Sequence, residues 1–222
     1  MAEPLNLVFD LDGTLIDSAP QIHDAANKVL LQRGLQPFSQ ATVRGFIGNG
    51  VGVLVERLMA HQGLQSDDIL QAALIDDFIN IYEEAFDLTT LYPNVSTTLL
   101  ALSETGHRLA ICTNKPEGPT RAILRHFRLA ELFPVIIGGD TLPQRKPDPA
   151  PLRAALAGLG PGKALFVGDS EVDAATAQAA AVPLALFSRG YRKAAPDSLK
   201  ARVIFDDFAA LPKLITEIEP LL

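Results

Sequence analysis

Five short apolar runs recur along the chain, and polar or turn-forming residues bound each of them. They cover residues 5–9, 108–112, 134–137, 164–167 and 183–187. Apolar runs of this length are typical of strands that are buried on both faces of a sheet. Helical patterns separate the later runs, so strand and helix alternate along that part of the chain. We therefore predict an α/β fold, a doubly wound, Rossmann-like parallel sheet with helices on both faces.

One interval breaks this alternation and predicts an insertion. Residues 18–92 show helical patterns over 21–32, 51–62 and 66–88 but no convincing strand. A crossover of this length is longer than a simple strand–helix–strand connection needs. We therefore expect two domains, an α/β core formed by residues 1–17 and 93–222 and an all-helical cap formed by residues 18–92.

The charge and hydropathy of the chain narrow the classes of partner. Its 26 acidic and 19 basic residues give a net charge of −7, which argues against a nucleic-acid-binding surface or a polybasic membrane anchor. The apolar runs fall short of the roughly 18 residues that a membrane helix needs, and the first residues lack the pattern of a signal peptide. We expect a cytoplasmic protein without a nucleic acid or membrane partner, and both a monomer and a homodimer remain open.

Four polar segments lie just after predicted strands or at the start of the following helix. They are DLDGT at 10–14, TNK at 113–115, KPDP at 146–149 and GDSEVD at 168–173. In an open parallel sheet, ligands bind outside the carboxyl ends of the strands. We therefore expect the four segments to meet at one edge of the sheet, although they span most of the chain.

Each segment has a chemical and a purely structural interpretation. Asp10 and Asp12 would project to the same side of an extended chain, where one carboxylate can attack and the other can move protons; the alternative is a polar turn. Thr113 and Asn114 are either site residues or an ordinary strand end and turn. Lys146 is either a solvated lysine before a helix or a compact positive charge beside a phosphate.

The last segment combines a predicted helix cap with a predicted metal ligand. Ser170 and Asp173 match a capping box at the start of a helix, so Asp173 has a structural as well as a chemical interpretation. Asp169 would lie beside Asp10 and Asp12, and these acids would repel one another. A hard cation with oxygen ligands relieves that repulsion, and Mg²⁺ is the expected ion where a phosphate also binds.

The motifs D-x-D-G-T, Ser/Thr, Lys and G-D-x-x-x-D, in this order and on this fold, resemble those of the haloacid dehalogenase (HAD) superfamily. The resemblance covers essentially the whole chain, including the helical insertion. The stretches at 9–18, 47–58, 92–93, 113–117 and 138–151 are similar to those of bacterial members that hydrolyse 2-phosphoglycolate. In this family the helix after the last motif commonly ends in glycine, whereas this chain has Ala181.

The resemblance implies a role for each site residue. Asp10 would be the nucleophile, and Asp12 would protonate the leaving group and later activate a water molecule. Asp10, Asp169 and the backbone carbonyl of Asp12 would hold Mg²⁺, supported by Asp173. The phosphate oxygens would be bound by Thr113, Asn114 and Lys146.

The function implied is that of an Mg²⁺-dependent phosphatase for a small phosphorylated metabolite. The first candidate reaction is the hydrolysis of 2-phosphoglycolate to glycolate and phosphate through an aspartyl-phosphate. Alternatives within the superfamily are a sugar or amino-sugar phosphate, pyrophosphate, or a phosphomutase reaction; an alternative of another class is a phospho-accepting, receiver-like signalling module. Cap residues would select the substrate, and the candidates are Arg44, Asn49 and Gly50.

Overall fold

A six-stranded parallel sheet forms the centre of the protein. The computed structural model describes residues 4–65, 67–83 and 86–221. Within them the strands are β1 (Asn6–Phe9), β2 (Ile16–Asp17), β3 (Thr90–Leu91), β4 (Arg108–Cys112), β5 (Val135–Ile137), β6 (Ala164–Gly168), β7 (Leu184–Phe187) and β8 (Val203–Phe205). The sheet has the order β5-β4-β1-β6-β7-β8, and each neighbouring pair is parallel. The chain winds outward from β1 in both directions, which creates a crevice at the carboxyl end of β1.

The helices account for most of the rest of the described chain. They are α1 (Ala19–Gln32), α2 (Gln40–Arg44), α3 (Val51–His61), α4 (Asp68–Glu83), α5 (Val95–Glu104), α6 (Glu117–His126), α7 (Ala150–Leu159), α8 (Glu171–Ala180) and α9 (Leu211–Ile218). Among the described residues, no helix combines the length and the apolar character needed to cross a bilayer.

Helices cover both faces of the sheet, as the packing of the β1 side chains shows. Successive side chains of a strand point to opposite faces. Leu7 and Phe9 lie in a hydrophobic cluster with residues of α5, α6 and α9, whereas Val8 lies in a second cluster with residues of α7 and α8. β1 is therefore buried on both sides, which explains its uninterrupted apolar sequence, and the predicted fold class is confirmed.

The interval between β1 and β4 holds a helical insert with a hydrophobic cluster of its own. Helices α1 to α4 supply this cluster, including Val29, Leu54 and Phe78. Strands β2 and β3 pair antiparallel, with Ile16 opposite Leu91, and so bring the two ends of the insert together. The proposed division into core and cap at residues 18 and 92 falls next to this two-stranded ribbon.

The structure corrects the length of one predicted helix. The helix predicted over 66–88 corresponds to α4, which spans Asp68–Glu83; residues 66, 84 and 85 lie outside the described part. Asp87 and Leu88 form a turn, in which the Leu88 amide donates to Gln21 Oε1 at 3.1 Å. The chain has to leave the helix here because residues 90–91 pair with β2. The sequence analysis also missed α2 and β8, which are short elements.

Helix α8 ends at a residue that is poorly suited to its backbone conformation. Ala181, at the C-cap, has φ 58° and ψ 39°, a left-handed conformation that costs an L-residue about 1–2 kcal/mol and that glycine adopts freely. Ala181→Gly should therefore raise the free energy of unfolding by about 0.5–1 kcal/mol, since glycine also gains freedom in the unfolded chain. Urea denaturation measures the difference.

The control is Ala175→Gly, at an exposed position inside the same helix. This change should lower the free energy of unfolding by about 1 kcal/mol. If Ala181→Gly and Ala175→Gly lowered the free energy of unfolding equally, Ala181 would not be strained.

Candidate active site

The predicted polar residues that follow β1, β4 and β6 lie at one edge of the sheet. Asp10 directly follows β1, Thr113 follows β4, and Asp169 follows β6. β1 lies between β4 and β6, so the three residues emerge from adjacent strands. Lys146 enters from the loop between β5 and α7, and its side chain reaches Asp10. The structure therefore brings all four segments together.

Lys146 carries a buried ammonium that joins two carboxylates. Its Nζ lies 2.9 Å from Asp10 Oδ1 and 2.6 Å from Asp173 Oδ1, and 4% of the residue is exposed. Burial disfavours the charge, but Asp10 and Asp173 outweigh it, so the pKa of Lys146 lies well above its ordinary value. A permanent positive charge is thus held beside the predicted nucleophile.

Asp173 has a structural role as well, as the predicted capping box requires. Its Oδ2 accepts from Ser170 Oγ at 2.7 Å and from the amides of Ser170 and Asp169 at 3.1 Å. Ser170 Oγ accepts in turn from the Asp173 amide at 3.3 Å. With Oδ1 on Lys146 and Oδ2 shared by these donors, Asp173 is better placed to support a metal site than to ligate the ion.

Asp10, Asp169 and Asp173 carry more negative charge than one ammonium balances. Oxygens of the three carboxylates lie within 4.8 Å of one another. Burial raises the pKa of Asp10 to about 7 although Lys146 opposes the shift, and burial together with Asp173 raises the pKa of Asp169 well above its ordinary value. A donor set made only of oxygen suits a hard cation. The cluster therefore fits a metal ion, and Asp10 and Asp169 are its candidate ligands.

The loop after β1 closes tightly around Asp169. Thr14 Oγ1 donates to Asp169 Oδ1 at 2.8 Å, and the Tyr191 amide donates to Oδ2 at 2.6 Å. Gly13 has φ +89°, and a Cβ there would lie 2.6 Å from Asp169 Oδ2. Glycine is required at position 13 by both the backbone conformation and the close approach.

Asp12 faces the helical insert and has two partners on its Oδ1. Ser18 Oγ donates to it at 2.6 Å, and Lys115 Nζ lies 3.4 Å away. Lys115 is buried and also donates to the Tyr82 hydroxyl of α4. Burial works against the charge of Lys115, but Asp12 and Tyr82 outweigh it and keep the pKa of the ammonium above its ordinary value.

Asn114 holds other residues of the site with its side chain. Its Oδ1 accepts from the Lys146 amide and its Nδ2 donates to the Lys146 carbonyl, both at 3.0 Å. Nδ2 also donates to the Gly48 carbonyl of the insert at 3.1 Å. The side chain of Asn114 thus positions the backbone of Lys146 and contacts the insert, and the phosphate contact of Asn114 stays a prediction.

The three cap candidates lie in different surroundings. Arg44 donates to the Gly190 carbonyl at 2.8 Å, and its guanidinium lies over the Tyr191 ring. Asn49 Oδ1 accepts from Arg57 at 2.9 Å. A Cβ on Gly50, which has φ +83°, would lie 3.2 Å from the Asn114 carbonyl oxygen. Arg44 and Gly50 thus face the sheet edge, and Asn49 lines a cleft that reaches Asp10 and Asp12.

Two clefts meet at Asp10 and Asp12. The first, called the Lys115 cleft, encloses about 70 Å³ between the sheet edge and the insert. Its walls include Ile22, Val51, Leu54, Phe78, Thr113 and Lys115. The second, called the Asp169 cleft, is more polar, with walls that include Asn49, Arg57, Asp169, Glu171, Tyr191 and Lys193. A ligand bound at Asp10 therefore has an apolar side and a polar side.

Comparison with known proteins identifies the family. The family model described as haloacid dehalogenase-like hydrolase matches residues 7–187. The chain belongs to this family. A relative from Cereibacter sphaeroides (strain ATCC 17025 / ATH 2.4.3), named phosphoglycolate phosphatase, is 50% identical over 210 residues, 94% of this chain and 96% of the relative. A relative of the same name from Rhodospirillum rubrum is 46% identical over 215 residues, 94% of this chain and 89% of the relative.

A solved structure supports the same assignment. The crystal structure of a predicted phosphoglycolate phosphatase from Haemophilus somnus 129PT matches with a TM-score of 0.89 at 35% identity, over 96% of this chain and 99% of that chain. The predicted family and the prediction of an enzyme are thus confirmed. Membership in a hydrolase family also decides against the receiver-like module.

The sequence analysis did not include three residues of the site in its predictions. Lys115 belongs to the segment that contains Thr113 and Asn114, so its position was a usable signal. Tyr82 lies at the end of helix α4, and Tyr191 lies beyond the last motif, so neither had a local signal. The Tyr191 hydroxyl accepts from the amides of Ser18 and Ala19 and donates to Asp17, which ties the start of the insert to the site.

The raised pKa of Asp10 predicts how pH affects the stability of the metal-free protein. An unfolded aspartate has a pKa of 3.8, whereas the pKa of Asp10 in the folded protein is about 7. Between these values the folded state holds a proton that the unfolded state has lost, so the contribution of Asp10 to the free energy of unfolding falls as pH rises. The slope is at most about 1.4 kcal/mol per pH unit.

Urea denaturation in EDTA, compared between the wild type and Asp10→Asn, isolates this effect. The variant has no carboxyl proton to lose at this position. Its stability relative to the wild type should increase from about pH 5 to pH 7 and level off above that range. A difference that does not change with pH would contradict the raised pKa.

Proposed function

We propose that the protein is an Mg²⁺-dependent phosphatase that hydrolyses 2-phosphoglycolate to glycolate and phosphate through an aspartyl-phosphate on Asp10. The observation that carries the proposal is the buried Asp10 carboxylate at the end of β1, 2.9 Å from the Lys146 ammonium, with Asp12 two residues further on. A nucleophile, a fixed positive charge and a proton donor are the parts that this chemistry needs.

In the first step an Asp10 carboxylate oxygen attacks phosphorus, and the bond to the leaving-group oxygen breaks. Asp12 gives its proton to that oxygen, so the product leaves as an alcohol. Ser18 fixes the Asp12 carboxyl at 2.6 Å, which aims it at the Lys115 cleft and the leaving group. Lys146 and Thr113 hold phosphoryl oxygens, whose charge must be balanced in the transition state.

In the second step Asp12, now ionised, takes a proton from a water molecule that attacks the same phosphorus. The Asp10–phosphorus bond breaks, inorganic phosphate forms, and the Asp10 carboxylate is restored. Dividing one displacement into two lets a single acid–base residue serve both steps. Asn114 contributes by holding the backbone of Lys146, so that the ammonium stays aligned with the phosphoryl group.

Mg²⁺ is the ion that we assign to the carboxylate cluster. Asp10, Asp169 and the backbone carbonyl of Asp12 would hold it, and Asp173 would support the site through Lys146 and the start of α8. When bound, the ion supplies positive charge that offsets the cluster and the phosphoryl oxygens.

The names of the relatives and the size of the cleft support 2-phosphoglycolate as the substrate. The C. sphaeroides and R. rubrum relatives are both named phosphoglycolate phosphatase. The Lys115 cleft of about 70 Å³ has room for about five to seven water molecules at 10–15 Å³ each. The glycolate part of the ester has five non-hydrogen atoms, so it fits within this cleft, whereas a sugar ring would extend into the Asp169 cleft of about 530 Å³.

We propose that residues 18–92 act as a cap on the core of residues 1–17 and 93–222. Polar contacts join the insert to the sheet edge, from Asn114 to the Gly48 carbonyl and from Arg44 to the Gly190 carbonyl. The β2–β3 ribbon would be the hinge, and closure would keep water from the first step. In this proposal Arg44, Asn49 and Gly50 remain the substrate-selecting candidates of the cap.

A panel of phosphate esters tests the proposed substrate. The kcat/KM for 2-phosphoglycolate should exceed those for a hexose phosphate, an amino-sugar phosphate and pyrophosphate by at least about tenfold, because its short glycolate group fits within the Lys115 cleft, whereas a larger group would have to extend into the Asp169 cleft. Asp10→Asn should lower kcat by at least about 10³-fold, with an unchanged circular dichroism spectrum. A better substrate within the panel would replace 2-phosphoglycolate, and the lack of multiple turnovers with every ester would overturn the phosphatase.

Chelation tests the metal. EDTA should abolish turnover, and added Mg²⁺ should restore it. Asp169→Asn should raise the Mg²⁺ concentration needed for half-maximal activity by at least about tenfold, because it removes a proposed ligand. Full activity in EDTA, or an unchanged Mg²⁺ requirement in Asp169→Asn, would count against this assignment.

A further inference from the structure

Lys115 is a buried cation that the steps proposed above do not use. It follows Asn114 just beyond β4, and 6% of the residue is exposed. Among the described residues, its Nζ donates to the Tyr82 hydroxyl, lies over the Tyr82 ring at 4.1 Å from its centroid, and lies 3.4 Å from Asp12 Oδ1. All of these contacts lie at the Lys115 cleft, where the insert meets the sheet edge.

These partners leave part of the hydrogen-bonding capacity of the ammonium unused. An ammonium has three N–H donors, and the Tyr82 hydroxyl is neutral. The distance to Asp12 is longer than an ordinary N–H···O bond of about 2.7–3.2 Å, and Asp12 Oδ1 is shared with Ser18. An ammonium with a free N–H donor can accept a further anionic partner, because hydrogen bonds from charged groups are stronger than those between neutral groups. Lys115 therefore has the capacity to bind an anionic group of a ligand.

The Lys115 cleft offers an anion a single cationic partner, beside the carboxylates of Asp10 and Asp12. Within the described part of the chain, Lys115 is the one cation in its walls, which otherwise include apolar side chains such as Leu54 and Phe78. The cations of the Asp169 cleft are less suitable. Arg57 already donates to the Phe46 carbonyl and to Asn49, and Lys193 is exposed, where water and salt screen its charge.

The distance between Asp12 and Lys115 fits a substrate whose carboxylate is close to the ester oxygen. The leaving-group oxygen has to lie beside Asp12, which protonates it. In the ester of a two-carbon acid the carboxyl carbon is two bonds from that oxygen. Its carboxylate can therefore reach an ammonium that lies 3.4 Å from Asp12 Oδ1.

We propose that Lys115, held in place by Tyr82, binds the carboxylate of the substrate and selects phosphate esters of short carboxylic acids. This inference rests on the proposed phosphatase function and deepens it. It names the residue that distinguishes the phosphate ester of a short acid from one whose alcohol part carries no charge. Lys115 is then a specificity residue, contributed by the core and positioned by the insert.

Two non-hydrolysable ligands that differ only in the carboxylate test the inference. 3-Phosphonopropionate has a methylene in place of the bridging oxygen of 2-phosphoglycolate, and propylphosphonate has a methyl group in place of the carboxylate. Titration calorimetry in Mg²⁺ gives both dissociation constants for the wild type, Lys115→Met and a matched control, Lys163→Met. Lys163 pairs with Glu219 and precedes β6, at the opposite edge of the sheet.

The wild type and Lys163→Met should bind 3-phosphonopropionate about 10- to 100-fold more tightly than propylphosphonate, the range expected for a hydrogen bond between charged groups. Lys115→Met should lose this preference. The inference is overturned if the wild type shows no preference, if Lys115→Met keeps it, or if that variant weakens both ligands equally, which would indicate a role in organising the site. If Lys115→Met does not fold, Tyr82→Phe tests the inference instead. In this variant the preference for 3-phosphonopropionate over propylphosphonate should fall by at least about threefold.

Turnover separates this inference from the proposed function. In Lys115→Met the loss of kcat/KM for 2-phosphoglycolate should exceed the loss for ethyl phosphate by at least about tenfold. A wild type that hydrolyses both esters equally well would overturn the inference and leave the phosphatase standing. If the wild type hydrolyses neither ester but still prefers 3-phosphonopropionate in a Lys115-dependent way, the proposed phosphatase function is overturned. The carboxylate-binding role of Lys115 is then supported.

Discussion

The buried ammonium of Lys146 is the contact on which the rest of the site depends. It joins Asp10, at the end of β1, to Asp173, in the first turn of α8. The backbone of Lys146 is held in turn by Asn114, just after β4. One charge thus connects three separate segments of the core. Loss of the ammonium would leave buried carboxylates without a counter-charge, which is strongly destabilising, so the same contact serves the fold and the chemistry.

The insert is joined to the core by polar contacts at the sheet edge. Its apolar side chains form a cluster of their own, separate from the two clusters that cover the sheet. The contacts across the boundary include the hydrogen bond from Asn114 to Gly48 and that from Lys115 to Tyr82. A bond between neutral groups contributes a net of about 0.5–1.5 kcal/mol, and one from a charged donor such as Lys115 about 1.5–3 kcal/mol. Near the end of the insert, Phe86 also packs against the core cluster, so the boundary combines polar contacts with an apolar one.

Most of the fold could be predicted from the sequence because the strands are buried on both faces. Such strands consist of uninterrupted apolar residues, and the predicted runs agree with β1, β4, β5, β6 and β7 to within one residue at each end. The strand β8 was missed because its apolar run is only three residues long; it lies at the edge of the sheet, where Ile204 is exposed. The end of α4 was misplaced because the return of the chain to pair with β2 is a long-range requirement.

The sequence by itself determined the fold class and the edge of the sheet at which the polar motifs meet. Apolar periodicity dictates which segments become strands, and a parallel sheet brings the residues after those strands to one edge. Only the tertiary structure decided how the individual side chains share their partners. It assigns one oxygen of Asp173 to Lys146 and the other to a helix start, and it places Tyr82 against Lys115. Those pairings join residues far apart in the chain, and they depend on burial and distance, which no local pattern encodes.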